Sequence, residues 1–343
     1  MKEESLKNLI DSADKILIVS HAGPDPDAIS STVFTLSILR KNFPHKVIRA
    51  NIEGASLDQY KKLFNTDLVS NDSFKDTFNN FSPDLLIALD MAGLKLLSRT
   101  DIDSILSQVS KSHEIVMIDH HEELEHPYAR TYINYFDNSC AESVYKVFID
   151  GMKLKPYDNY ANHLLLGIVG DTGSFGYLER NAESTFSITI KLLNEGGNID
   201  EVRTLMNRLS FNELEVHREY LKNLTVVDDY SYSYISDLFF ENHKEIPDAE
   251  YSAANKIFVQ WYLKSVEDAF WGFTLKPLRK GEYTISFRSQ IGMMDLTKLA
   301  IHLNGGGHKA SAGGVVKANS DQEAVKIVQD IIEEYRKEAF AGE

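Results

Sequence analysis

Three short stretches of the chain are apolar almost without interruption: Lys15-Ile-Leu-Ile-Val-Ser20, Asp84-Leu-Leu-Ile-Ala-Leu-Asp90 and Glu114-Ile-Val-Met-Ile-Asp119. Runs of this length without alternation predict strands buried on both faces, as in a parallel sheet covered by helices. Lys46 to Asn51 reads as a further strand. Lys2 to Asp14, Ala28 to Arg40 and Ile102 to Val109 carry apolar residues at helical spacing, whereas Leu57 to Phe81 mixes polar and aromatic residues with no clean period and predicts no element. Helices are expected over Ala141 to Ile149, Tyr160 to Val169, Ser184 to Leu193, Ile199 to Arg208 and Glu213 to Leu224. Beyond Leu224 the character turns to β-rich segments at Ser231 to Ile235, Phe270 to Pro277 and Glu282 to Arg288, closed by an amphipathic helix from Gln322 to Tyr335. Strands alternating with helices predict an α/β fold. The expected order is a mostly parallel-sheet domain over 1–195, helices over 196–224 and a smaller mixed α/β domain over 225–343.

At 343 residues and 43% hydrophobic content, the chain can build two cores. A formal charge of −15 excludes a general basic surface for gripping long duplex nucleic acid. The single cysteine, Cys140, rules out an internal disulfide framework and suits a reducing compartment. The N-terminus has no apolar signal core and no run is long enough to span a bilayer, so the expectation is a cytoplasmic protein away from membranes.

What changes the picture is the chemistry where the apolar runs stop. The first leads into His21-Ala-Gly-Pro-Asp-Pro-Asp27, which packs one imidazole and two carboxylates into a turn. Asp25 is placed to cap the next helix and Pro26 suits its first position. The second run ends on Asp90, the third on Asp119-His120-His121, and Asp171 lies in Gly170-Asp-Thr-Gly-Ser-Phe175. A cap or a solvated loop end accounts for any one aspartate. It does not account for the set, because Asp25, Asp27, Asp90 and Asp171 brought together at the carboxyl ends of sheet strands would repel one another without cations. Imidazole and carboxylate ligands suit a borderline-hard divalent ion, Mn²⁺ ahead of Mg²⁺, with Fe²⁺, Co²⁺ and Zn²⁺ open. Four carboxylates balance two such ions, the composition of a two-metal hydrolytic site.

His21-x-x-x-Asp25-x-Asp27, the lone Asp90, Asp119-His120-His121 and Asp171 resemble the four motifs of the DHH phosphoesterase superfamily. Gly305-Gly-Gly-His308-Lys-Ala-Ser-Ala-Gly-Gly314 resembles the glycine-rich signature of its companion DHHA1 domain. The resemblance covers most of the chain and runs closest to the two-domain oligoribonucleases and 3′-phosphoadenosine 5′-phosphate (pAp) phosphatases; Ser311 and Pro26 depart from the common alanine and glycine. It implies that His21, Asp25 and Asp90 hold one metal ion and that Asp27, Asp90, His120 and Asp171 hold the second, with Asp90 bridging. It also implies that His121 faces the substrate phosphate and that Asp119 supports the loop. The implied activity is metal-dependent hydrolysis of short oligoribonucleotides or pAp, with the second domain limiting substrate length. A cyclic-dinucleotide or pApA phosphodiesterase would use the same ligands, and a non-catalytic nucleotide-binding module is the alternative of a different class. Oligomeric state is not read from these residues.

In the second domain the glycine-rich stretch alone is compatible with a tight turn before a helix. Its functional reading is that Gly305, Gly306 and Gly307 let backbone amides approach a phosphate or a base, with His308 as a further donor. Arg288, beside Ser289 at a predicted strand end, offers a bidentate fork for phosphate. The resemblance tips both toward substrate binding. Most of the aromatic residues, Phe270, Trp271 and Phe273 among them, read as core, and no stacking residue is assigned. Cys140 reads as buried, since nothing around it supplies an activating base.

Overall fold

The computed structural model describes residues 2–341 apart from 56, 99, 101–102, 104–105, 108–113, 122–128, 130, 179, 264, 280, 291 and 304. It divides into two compact units, Met1–Arg208 and Leu209–Glu343.

The first unit is built on one parallel sheet. After α1 (Lys2–Ser12) come β1 (Lys15–Val19), α2 (Pro26–Asn42), β2 (Val47–Asn51), β3 (Val69–Ser70), α3 (Phe74–Phe81), β4 (Leu85–Leu89), β5 (Glu114–Asp119) and β6 (Thr131–Asn134). Four helices follow: α4 (Cys140–Tyr145, continued by a π-helical turn over Lys146–Gly151), α5 (Tyr160–Asp171), α6 (Ala182–Asn194) and α7 (Ile199–Met206). The strand order is β3-β2-β1-β4-β5-β6, and every pairing is parallel. The chain therefore winds outward in one direction from β1 and then in the other from β4. The crevice between those two strands, at their carboxyl ends, is where such sheets place ligands.

The apolar runs are continuous because each strand feeds two cores. Ile16, Ile18, Leu85, Ile87, Val116 and Ile118 face α2, α4 and α5. Leu17, Val19, Leu86, Ala88, Ile115 and Met117 face Phe74, Phe78 and Phe81 of α3. Residues 57–81, which predicted no element, hold 3₁₀ turns at Asp58–Tyr60 and Thr66–Leu68, the two-residue β3 and α3. Most of the helix expected over Ile102 to Val109 lies outside the described residues.

The second unit runs α8 (Phe211–Lys222), β7 (Thr225–Val227), β8 (Tyr230–Tyr234), α9 (Asp237–Asn242), α10 (Asp248–Trp261), β9 (Trp271–Arg279), β10 (Glu282–Ser289), α11 (Leu296–Ile301), β11 (Gly306–His308), β12 (Ser311–Lys317) and α12 (Asp321–Ala341). Its sheet is mixed, in the order β11-β12-β10-β9-β8-β7, and only β8 and β9 are parallel. Alternation in β10 sends Tyr283, Ile285 and Phe287 into a core with α11 and α12. Val216 and Tyr220 of α8 pack with Tyr251 and Phe258 of α10 in a second cluster, whereas Val202 and Leu205 of α7 belong to the core of the first unit. The helices over 196–224 are thus shared between the units. The glycine-rich stretch is the β11–β12 hairpin and follows a helix; it does not precede one.

Candidate metal centre

The loop from β1 into α2 is fixed from three sides. Asp25 caps α2, its Oδ1 accepting from the amides of Asp27 and Ala28 at 3.0 Å each, and Pro26 opens the helix. The Ala22 amide donates to the Leu96 carbonyl at 2.7 Å, and that of Gly23 to Glu53 at 3.4 Å. These bonds tie the loop to the loops beyond β4 and β2. Gly23 has φ 71°, a conformation that favours glycine.

Asp27 points inward and is fully buried. Its carboxylate accepts from the Cys140 and Ala141 amides at 2.6 and 2.9 Å, at the start of α4. On its other side lies Gly167 of α5, where an added Cβ would stand 2.3 Å from Asp27 Oδ1. At Gly170 an added Cβ would stand 2.8 Å from Pro26 Cβ. Two bare positions thus let α5 run against the first turn of α2, which delivers Asp171, the last residue of α5, to the site. Asp171 is therefore carried by a helix end and not, as the sequence suggested, by a strand end. Asp90 follows β4 directly, is 2% exposed and has φ 54°, a left-handed conformation that costs energy in a residue with a Cβ.

His120 joins these pieces. Its Nε2 lies 3.3 Å from Asp90 Oδ1, 3.2 Å from Asp171 Oδ2 and 4.0 Å from Asp27 Oδ2. His21, Asp25 and Asp90 each bring one donor atom within 4.8 Å of the others, as do Asp27, His120 and Asp171, and as do Asp90, Asp119, His120 and His121. All the first-unit candidates from the sequence are brought together at the crevice between β1 and β4.

The electrostatics call for a cation. Burial pushes the Asp27 carboxyl well above its ordinary range; the charges of Asp90 and Asp25 push the same way and His120 opposes them. Burial also raises Asp90, reinforced by Asp25 and Asp119. At Asp171 the negative end of the α5 dipole adds to the repulsion. One further acceptor, Asp119 Oδ2, is buried without a hydrogen-bond partner. Crowded oxygens and imidazole nitrogens fit divalent cations, which would replace the protons that burial otherwise retains.

His121 has a different environment. Its Nδ1 lies 2.8 Å from Asp119 Oδ1, and this hydrogen bond pushes the imidazole up to about 9 against an opposing burial effect. Burial would raise Asp119, but the bond to His121 prevails and lowers it. The bond favours the protonated imidazole, and the His121 side chain is 45% exposed, which suits it to meet an anion. Cys140 is buried as expected; its thiol donates to the Ile118 carbonyl at 3.3 Å, and burial raises it well above its ordinary value.

Two residues that sequence reasoning missed hold this corner. Asn134 Nδ2 donates to the His121 carbonyl at 2.8 Å, and the Arg180 guanidinium donates to the His120 carbonyl and, at 3.3 Å, to that of Asp137. Neither sits in a motif, and both lie far along the chain from the residues they hold.

In the second unit, Arg288 Nη1 donates to the Phe287 carbonyl at 2.7 Å, and among the described residues no carboxylate pairs with this guanidinium. Ser289 was expected beside it as a substrate contact, but it is 2% exposed. Its hydroxyl donates to the Gln290 carbonyl and accepts from the Met294 amide, so it serves the turn after β10. The three glycines are not equivalent. An added Cβ at Gly305 would stand 1.9 Å from the Gly313 carbonyl oxygen, and at Gly307 (φ 143°) 2.5 Å from Ala312 Cα, whereas at Gly306 nothing lies within 4 Å. The hairpin itself requires glycine at 305 and 307. His308 ends β11, paired with Ser311.

At the switch point of this doubly wound parallel sheet, where such folds place ligands, stands a set of imidazole and carboxylate donors that could hold metal ions. Residues 15–168 match the DHH family, N-terminal domain, so the first unit carries a DHH domain. The chain is 26% identical over 309 residues to the probable bifunctional oligoribonuclease and PAP phosphatase NrnA of Streptococcus mutans, covering 89% of this chain and 90% of that one. It is 24% identical over 352 residues to the cyclic-di-AMP phosphodiesterase GdpP of Geobacillus thermodenitrificans, covering 96% of this chain and 49% of the longer protein. Its fold is similar to that of an exopolyphosphatase-related protein from Bacteroides fragilis, with a TM-score of 0.82 at 24% identity, covering 98% of this chain and 96% of that one. Among the described residues no helix is long and apolar enough to cross a membrane.

Proposed function

We propose that this phosphoesterase hydrolyses short oligoribonucleotides and pAp, acting in the cytoplasm with two divalent ions, Mn²⁺ first among them. The observation that carries this reading is His120 Nε2 within 3.3 Å of Asp90 and 3.2 Å of Asp171, where loops from three parallel strands meet a helix end. His21, Asp25 and Asp90 would hold one ion, and Asp27, Asp90, His120 and Asp171 the other. When bound, such a pair supplies charge stabilisation at phosphorus and a water of lowered pKa. The protein's own residues do the rest. Asp119 keeps the proton on His121 Nδ1 and fixes the ring, so that an imidazolium meets the phosphate as charge accumulates on it. The amides of Cys140 and Ala141 hold Asp27 in one orientation. We assign residues 225–343, within the second unit, as a DHHA1 domain, with Arg288, His308 and the Gly305–Gly307 amides binding substrate away from the reacting bond and Ser289 beside them. An acidic chain suits this reading, since a short substrate needs local anchors and no long basic track.

The test is one purified sample, loaded with Mn²⁺, assayed against pAp, linear di- to pentaribonucleotides, pApA, a cyclic dinucleotide and duplex RNA. Turnover of pAp and the shortest oligomers is expected, lost on chelation and restored by Mn²⁺. Hydrolysis of the cyclic dinucleotide alone would reassign the enzyme to the activity of its GdpP relative. Nucleotide binding without turnover of any substrate would make it a binding module.

A further inference from the structure

An aromatic residue beside the site has no role in the metal centre and no place in a core. Phe136 is 56% exposed, and its backbone has φ 54°, which an aromatic residue rarely adopts. Parallel pairing sets Asp119 opposite Asn134, so His121 and Phe136 each lie two residues beyond the same registered pair, on strands about 4.8 Å apart. Side chains lock the two segments together. Asn134 donates through Nδ2 to the His121 carbonyl at 2.8 Å and accepts through Oδ1 from the Phe136 amide at 2.6 Å. One residue further on, Arg180 bridges the carbonyls of Asp137 and His120. Phe136 thus sits between two cross-links to the His120-His121 segment, its strained backbone held by the residue that also holds His121. Exposing a large apolar ring at such a position gains nothing for the fold. Strain retained beside a reactive centre is characteristic of a functional constraint.

We propose that Phe136 is a stacking platform for the nucleobase of the nucleotide whose phosphate meets His121. This rests on the reading of the substrate as a nucleotide. An aromatic face tolerates any base, and the neighbouring His121 ring offers a hydrogen-bond donor to the phosphate, so base and phosphate of a single nucleotide are recognised from adjacent strand ends.

The test measures binding of adenosine 5′-monophosphate and of ribose 5-phosphate, which has no base, by calorimetry on the full-length Mn²⁺-loaded protein. Phe136→Ala is expected to weaken the nucleotide by on the order of tenfold and to leave the sugar phosphate within twofold. Phe136→Trp should retain nucleotide affinity and report it through quenching of the new indole. Unchanged nucleotide affinity in Phe136→Ala, or equal loss for both ligands, would overturn the proposal. Failure of the parent reading appears elsewhere, as absence of nucleotide hydrolysis by the unaltered enzyme. Since Phe136 lies outside the core, melting of Phe136→Ala should match that of the parent, which separates a binding loss from a folding loss.

Discussion

At the scale of single residues, the centre depends on carboxylates whose isolation would be costly. Asp90 stands where the two candidate ion positions meet, so Asp90→Asn removes charge from both while keeping the side chain's shape. Hydrolysis should fall below detection, the circular dichroism should stay unchanged, and calorimetric titration should find fewer than two Mn²⁺ per chain. Turnover near that of the parent would remove Asp90 from the bridging role. Glu142 tests the pH behaviour of a buried acid outside the centre. It is fully buried, accepts from Ser139 and Thr185, and burial raises it from 4.5 to about 7, with Asp137 adding to the shift. The folded state then binds more protons than the unfolded one between those two values. The stability that protonated Glu142 gives is complete below about 4.5 and is lost as pH rises through about 7. Glu142→Gln should flatten this slope in urea midpoints measured from pH 5 to 8, by about 1–3 kcal/mol across the window. An unchanged slope would show that the carboxyl is already ionised in the fold.

At the scale of elements, the junction of α2 with α5 sets the geometry of the site. Gly167→Ala places a methyl against Asp27 Oδ1, in a space closed on its other sides by Ala141 Cβ and Ser30 Oγ, at 2.6 and 2.8 Å. The carboxylate or the helix must move. Mn²⁺ affinity should drop by on the order of tenfold or more, and the metal-free protein should melt several degrees lower; wild-type affinity would mean that α5 shifts without carrying Asp171 away. The same comparison explains what could be read from the chain alone. β1, β4 and β5 were visible because both faces of each strand are buried, which writes an unbroken apolar run. β6 was missed because only Ile133 of its four residues is buried. α3 was missed because eight residues carry too few turns for Phe74, Phe78 and Phe81 to stand out as a helical face. The candidate ligands stood out by type and, Asp171 aside, by position after a strand. Asn134, Phe136 and Arg180 did not, because each acquires its meaning from the register Asp119↔Asn134, which no local spacing encodes. Alternation along β10 turns Ser289 inward, away from the face that carries Arg288.

For the whole molecule, the proposed division of labour gives a kinetic signature. If Arg288 binds the part of the substrate remote from the cleaved bond, Arg288→Ala should lower kcat/KM for a dinucleotide by on the order of tenfold, the cost of a charged hydrogen bond. Hydrolysis of p-nitrophenyl phosphate by the same variant should stay close to that of the parent. Equal losses on both would place Arg288 in the fold or at the reacting phosphate. The division also bears on inheritance. All six proposed ligands lie between residues 21 and 171, inside a unit that closes its own core within Met1–Arg208. Recombination beyond that unit leaves the metal-binding residues untouched. A lineage can thus exchange or remodel the rest of the chain without disturbing the candidate metal centre.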